Sequence, residues 1–254
     1  MRKIIVIGIG AGNPDHMTVQ AIAALNRLDL ILIPRKPGQK DDLAEVRRDI
    51  CRRFLTNPHT RQIEFDLPVR AQQDDAYHQT VDDWHDAIAG AYASLLDREC
   101  GPTGTVGLLV WGDPSLYDST LRILERLRAL PEAALAIEVI PGVTSVQTLA
   151  ASHRMPLNTI GGPVLLTTGR RLRQGVPADA ETIVVMLDGA CAFTTLPAAQ
   201  YDIWWGAYLG MPDEILISGS LAEVGERIVR TRAEARARHG WIMDTYMLRR
   251  RGDV

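Results

Sequence analysis

Apolar, β-branched runs recur along the chain at the spacing of a strand–helix repeat. Residues 3–8 close such a run on glycine, and the stretch from Thr18 sets Val19, Ile22 and Leu25 on one helical face. Strand, glycine turn and helix are expected in that order. Residues 28–34 read as a buried strand, followed by a polar Gly/Lys/Asp loop and a helix over 43–54. A short strand over 61–67 precedes a long helix over 74–96, where Val81, Trp84, Ile88, Tyr92 and Leu95 form one apolar stripe. Residues 105–111 are nearly all apolar, as a central strand covered on both faces requires. A helix over 119–130 and a fifth strand over 136–141 complete the set.

The pattern changes across the Pro/Gly-rich stretch 155–163, which reads as a linker. The boundary is placed there, giving a first domain over 1–156 and a second over 157–254. Strands are expected at 164–168, 182–187, 203–209, 214–218 and 241–247, with only short helical patterns between them, as in a mixed sheet. Of the adjacent Trp204 and Trp205, strand alternation turns one toward the core. The fold class is α/β: two α/β domains, each with a five-stranded sheet flanked by helices.

With 46% hydrophobic and 23% charged residues, the chain has the make-up of a globular protein. Its formal net charge of −3 supplies no general electrostatic reason to bind nucleic acid. The N-terminus lacks a signal-peptide pattern, and no apolar run approaches the roughly 20 residues of a membrane span, so a cytoplasmic location is expected. Cys51, Cys100 and Cys191 are far apart and outside zinc-ligand spacing, which suits structural thiols in a reducing compartment. His78, Asp82, Asp83, His85 and Asp86 fall largely opposite the apolar stripe of their helix, on its solvated side. No metal site is expected there.

Three strand ends carry glycine turns. Gly8-Ile-Gly-Ala-Gly12 follows the first strand, where backbone N–H groups favour a ligand. A dinucleotide fingerprint is incomplete, because Asn13 stands where its third glycine belongs and Asp29 lies at the wrong end of the second strand. Gly112-Asp113-Pro114 ends the central strand, and Pro141-Gly-Val-Thr-Ser145 ends the fifth, at the same carboxyl edge. Arg35, Lys36 and Lys40 in one loop, and Arg170, Arg171 and Arg173 in another, suit the carboxylates of an acidic substrate; solvated surface charge is the alternative. No catalytic triad spacing or nucleophile elbow is present.

Taken in order, residues 6–15 with Thr18, then 112–117, then 140–145 resemble the tetrapyrrole methylase family over the whole chain. The resemblance implies two α/β domains with S-adenosylmethionine in a ligand cleft between them, a tetrapyrrole substrate and a homodimer. Longer strings at 112–121, 141–147, 167–171 and 40–43 are similar to members that act on precorrin-5. They imply methylation at C-1 with release of acetate, giving precorrin-6A in aerobic cobalamin biosynthesis. Another precorrin or uroporphyrinogen C-methyltransferase is the alternative within the family. Outside it stand a nicotinamide-dependent oxidoreductase, which lacks its ribose-binding acid here, and a non-catalytic nucleotide-binding module.

By the same resemblance, Ala11, Gly112, Asp113, Leu116, Thr144 and Ser145 contact the cofactor from the first domain, and Leu187, Tyr208 and Leu209 from the second. Ala11 stands where the family usually has proline, and Leu187-Asp188 where it usually has Met-Gly. Deacetylation calls for a general base, and Asp113, His16, Tyr117 and Asp188 lie on suitable loops. Asp113 and Tyr117 are the expected catalytic pair; Arg35, Lys36, Arg170 and Arg171 are the expected substrate contacts.

Overall fold

The computed structural model describes residues 1–35, 42–68, 77–130, 134–177 and 179–251. Their contacts divide the chain into two units, one of 1–10 with 14–144, the other of 11–13 with 145–254. The boundary expected at 156 falls after the helix at 145–152, which groups with the second unit.

In the first unit the elements run β1 (Arg2–Gly8), α1 (Val19–Leu25), β2 (Leu30–Arg35), α2 (Asp42–Phe54), β3 (Arg61–Asp66), α3 (Tyr77–Glu99), β4 (Thr105–Val110), α4 (Thr120–Arg128) and β5 (Leu135–Ile140). The strands form one parallel sheet in the order β3-β2-β4-β1-β5. Strand alternation splits its apolar residues between two cores. Ile4, Val6, Val106 and Leu108 meet α3 and α4 through Ile88, Tyr92, Leu95, Ile123 and Leu124. Ile5, Ile7, Ile31 and Ile33 meet α1 and α2 through Ala21, Leu25, Ile50 and Cys51. Continuous apolar strands are thus explained by burial on both faces.

Two details differ from the periodic reading. Val19 is 84% exposed, and α1 buries Ala21 and Ala24 beside the expected Leu25. The Thr18 hydroxyl accepts from Ala21 N–H at 3.0 Å, so the helix begins at Val19 and the small alanines turn to the sheet. His85 is buried rather than solvated, 3% exposed beside Trp84.

The second unit contains α5 (Ser145–Ser152), β6 (Val164–Thr168), α6 (Gly169–Leu172), β7 (Thr182–Met186), β8 (Tyr201–Ala207), β9 (Ile215–Ser220), α7 (Leu221–His239) and β10 (Asp244–Arg250). Its sheet order is β6-β7-β10-β8-β9, with β6 and β7 parallel and the remaining pairs antiparallel. Trp205 is wholly buried and Trp204 lies on the other face, under the Arg249 guanidinium. A 19-residue helix, α7, was not expected. Its buried face reads Leu221, Val224, Gly225, Ile228, Arg232 and Ala235, a stripe too interrupted by glycine and arginine to stand out as apolar. Among the described residues no helix is long and apolar enough to cross a membrane.

Candidate functional site

β1 and β4 are neighbours in the first sheet, yet α1 and α4, which follow them, pack on opposite faces. Connections that diverge in this way open a crevice at the carboxyl ends of the strands, where open α/β sheets bind ligands. The two exits are joined by backbone. Gly112 N–H donates to Gly10 C=O at 2.8 Å, and Gly10 N–H donates back to Gly112 C=O at 3.3 Å. Gly112 has φ +67°, a left-handed turn that favours glycine. The β5 exit interlocks with them: a Cβ on Gly142 would overlap the Gly112 carbonyl oxygen, and one on Gly8 would lie 2.6 Å from Gly142 N.

Asp113 fastens this knot. Its Oδ2 accepts from Gly142 N–H at 2.8 Å, and its Oδ1 accepts from Ser115 N–H at 2.8 Å and from the Ser115 hydroxyl. Burial pushes the carboxyl up, but the Ser115 and Gly142 hydrogen bonds outweigh it and hold the group below its ordinary value. A carboxylate so occupied is a weak base, and its visible work is to hold Gly112–Leu116 against the β5 exit. Tyr117 follows in the left-handed region (φ 51°) with its side chain 42% exposed, and burial raises its phenol. It is suited to donate a hydrogen bond and keep its proton. Thr144 is buried beside Gly112, with its Cα 3.9 Å from where a Gly112 Cβ would sit.

Within the second unit, Ser145 Oγ accepts from Thr245 Oγ1 at 2.9 Å. Ala11–Asn13 lie against Leu209–Met211: a Cβ on Gly12 would be 2.5 Å from Met211 Cγ and 3.1 Å from Leu209 O. The Tyr208 ring is committed to the core, its hydroxyl donating to Trp241 C=O at 2.7 Å. What this segment offers a ligand is left-handed backbone, φ 52° at Tyr208. Leu187 shares that conformation (φ 53°) but points outward, 66% exposed. Non-glycine residues are rarely held this way without a local reason, and such strain gathers at ligand sites.

The Asp188 carboxyl is engaged within the second unit. Both its oxygens accept hydrogen bonds inside the unit, from Ala190 N–H, Ala192 N–H and the Tyr246 hydroxyl. Burial and the adjoining carboxylate raise the Tyr246 phenol, which keeps it a donor. Arg232, nearly buried, pairs with Asp244 at 2.9 Å and donates to Asp188 C=O at 2.8 Å. Sequence reading missed Arg232, Asp244 and Tyr246, since their partners lie far off in the chain. His16 sits beneath the Gly10 turn with a buried Nδ1 that has no hydrogen-bond partner.

The basic candidates are dispersed in role. Arg35 pairs with Asp66 at 3.1 Å and Glu64 at 3.5 Å, so a substrate carboxylate would have to compete with two acids. Arg170 and Arg171 are exposed on α6, where Arg171 donates to Gln174. Lys36 and Lys40 lie outside the described residues, as does the His78 side chain. Asp82 and Asp86 pair with Arg126. Desolvation lowers the pKa of buried His85, and no group of three potential metal ligands occurs among the described residues.

A family model described as Tetrapyrrole (Corrin/Porphyrin) Methylases matches residues 3–225. The chain is 57% identical over 253 residues to a precorrin-6A synthase [deacetylating] from Sinorhizobium sp, covering 100% of this chain and 97% of the relative. It is 39% identical to the crystal structure of a cobalamin synthesis related protein, CobF, from Corynebacterium diphtheriae, with a TM-score of 0.83 and 98% of each chain covered. The uroporphyrin-III C-methyltransferase of Thermus thermophilus, complexed with S-adenosylhomocysteine, shares the fold at 17% identity and a TM-score of 0.57, over 97% of this chain and 91% of that one.

Proposed function

The chain belongs to the tetrapyrrole methylase family, and from that premise we propose that it methylates precorrin-5 at C-1 with release of acetate, giving precorrin-6A. The observation that carries this is the 57% identity, over the whole chain, to a deacetylating precorrin-6A synthase. The same resemblance supports a homodimer, which light scattering on the purified protein checks.

When bound, S-adenosylmethionine supplies an electrophilic methyl group on a positively charged sulfur. The strand exits suit such a ligand, because they present backbone and small side chains at Gly112, Thr144 and Ser145 and left-handed backbone at Leu187 and Tyr208. Ala11, Gly112, Asp113, Leu116, Thr144, Ser145, Leu187, Tyr208 and Leu209 are assigned to hold it. Methyl transfer needs little covalent help, so fixing donor and carbon in near-attack geometry contributes about 7–11 kcal/mol. Asp113 contributes by fixing the Gly112 turn. Tyr117 is assigned to donate a hydrogen bond to substrate, and Arg35, Lys36, Arg170 and Arg171 to meet its carboxylates.

Incubation with precorrin-5 and S-adenosylmethionine, following product mass and free acetate, tests the reading. One added methyl and one acetate per turnover are expected. Methylation without acetate would keep the family and refute the assignment of precorrin-6A as product. Tyr117→Phe should slow turnover by about threefold to tenfold, the size of one lost hydrogen bond to substrate.

A further inference from the structure

We propose that Asp188 is a positioning residue for the cofactor, its buried carboxylate fixing the β7 exit so that Leu187 is presented, a role that rests on the assignment of Leu187 above. Asp188 is 5% exposed. Its Oδ1 accepts from Ala190 N–H at 3.0 Å, and its Oδ2 accepts from Ala192 N–H at 2.6 Å and the Tyr246 hydroxyl at 2.7 Å. Its own carbonyl accepts from Arg232 Nη2 at 2.8 Å, and Arg232 is held by Asp244. Side chain and main chain are therefore tied to β10, to α7 and to the next turn at once.

The residues on either side of this anchor are strained. Leu187 (φ 53°) and Cys191 (φ 52°) are both left-handed, a backbone in which Cβ crowds the following carbonyl. Such conformations persist only where the surroundings over-determine them. Here Asp188 supplies the constraint: the Ala190 and Ala192 N–H groups of the following turn are hydrogen-bonded to its carboxylate, and the apolar Leu187 is left facing outward. The same carboxylate reaches the β6 exit, since a Cβ on Gly169 would overlap Asp188 Cγ and Oδ1. One buried anion thus sets two adjacent exits of the second sheet, those carrying Leu187 and the Arg170–Arg171 turn.

Three variants separate positioning from stability: Asp188→Asn, Tyr246→Phe, and Ile228→Ala as a lesion of the same core that removes no hydrogen bond to Asp188. For each, S-adenosylhomocysteine binding is measured by calorimetry, KM for S-adenosylmethionine and kcat by turnover, and Tm by melting. Asp188→Asn should raise Kd and KM about tenfold, the size of one lost charge-assisted hydrogen bond, with kcat at saturating cofactor within about twofold. Tyr246→Phe should raise both about threefold to tenfold, and decides the matter if Asp188→Asn fails to fold. Ile228→Ala should lower Tm and leave Kd unchanged. Kd and KM within about twofold of wild type in Asp188→Asn and Tyr246→Phe would overturn the proposal. So would an equal rise in Ile228→Ala. Wild-type protein that does not bind S-adenosylhomocysteine would instead overturn the assigned function.

Discussion

The two units hold their loops by different means. In the first, three strand exits interlock through backbone, packed so closely that a Cβ on Gly8 or Gly142 would displace a neighbour. In the second, the exits are tied by buried side chains, Asp188 with Tyr246 and Arg232 with Asp244. The first arrangement is sensitive to added atoms and the second to lost partners. A parallel sheet covered by helices can bring bare backbone together at its carboxyl edge. The exits of the second unit's mixed sheet include longer turns, whose peptide groups need side-chain partners.

The largest test of this contrast is Asp244→Ala, which strands Arg232 as an unpaired charge where the pair is only 10% and 6% exposed. A loss of about 3–5 kcal/mol in denaturant unfolding is expected. Gly142→Ala should cost about 2–3 kcal/mol by the same measurement, because the obstruction is backbone that cannot rotate away. If it costs no more than an ordinary surface change, the interlocked description of the first unit is wrong.

Asp113→Asn comes next, at about 1–2 kcal/mol, since an amide cannot accept from Gly142 and Ser115 on both sides. It also carries a pH signature. The folded carboxyl lies below its ordinary value of 3.8, so the unfolded chain binds more protons there. Asp113 therefore contributes stability that is fully present above that pH and is lost as pH falls through the folded value. In the Asn variant, unfolding midpoints measured through the acid range should show a shallower decline. The smallest effect is a gain: Gly90→Ala on α3 meets nothing within 4 Å and should stabilise by about 0.5–1 kcal/mol in thermal melts. The contrast with Gly142 isolates close approach from helix propensity.

Much of the architecture was legible because burial of regular elements leaves a local, periodic record. β1 and β4 stand out as apolar runs, and the α3 stripe through Ile88, Tyr92 and Leu95 is buried in the first core. α7 was missed because its buried face includes Gly225 and Arg232, and Arg232 is tolerated there only through Asp244. The last strand was read too early, over 241–247. Asp244 pairs with Ala207 to begin β10, while Trp241 packs edge-on against Tyr208 outside it. Val19 shares the expected apolar face yet is exposed, because periodicity marks apolar positions without saying which of two offset stripes meets the sheet.

Read alone, the sequence determines the strand–helix order, the glycine turns at strand ends and the ordered motifs by which the family is recognised. All of these depend on residues close together in the chain. Which donors reach each strand-end carboxylate was decided only by the tertiary structure. Asp113 is occupied by Gly142 and Asp188 by Tyr246, so two candidates that looked alike as strand-end acids both become anchors. A carboxylate's basicity is set by its desolvation and by the donors that reach it, and those donors are brought in by folding from distant parts of the chain.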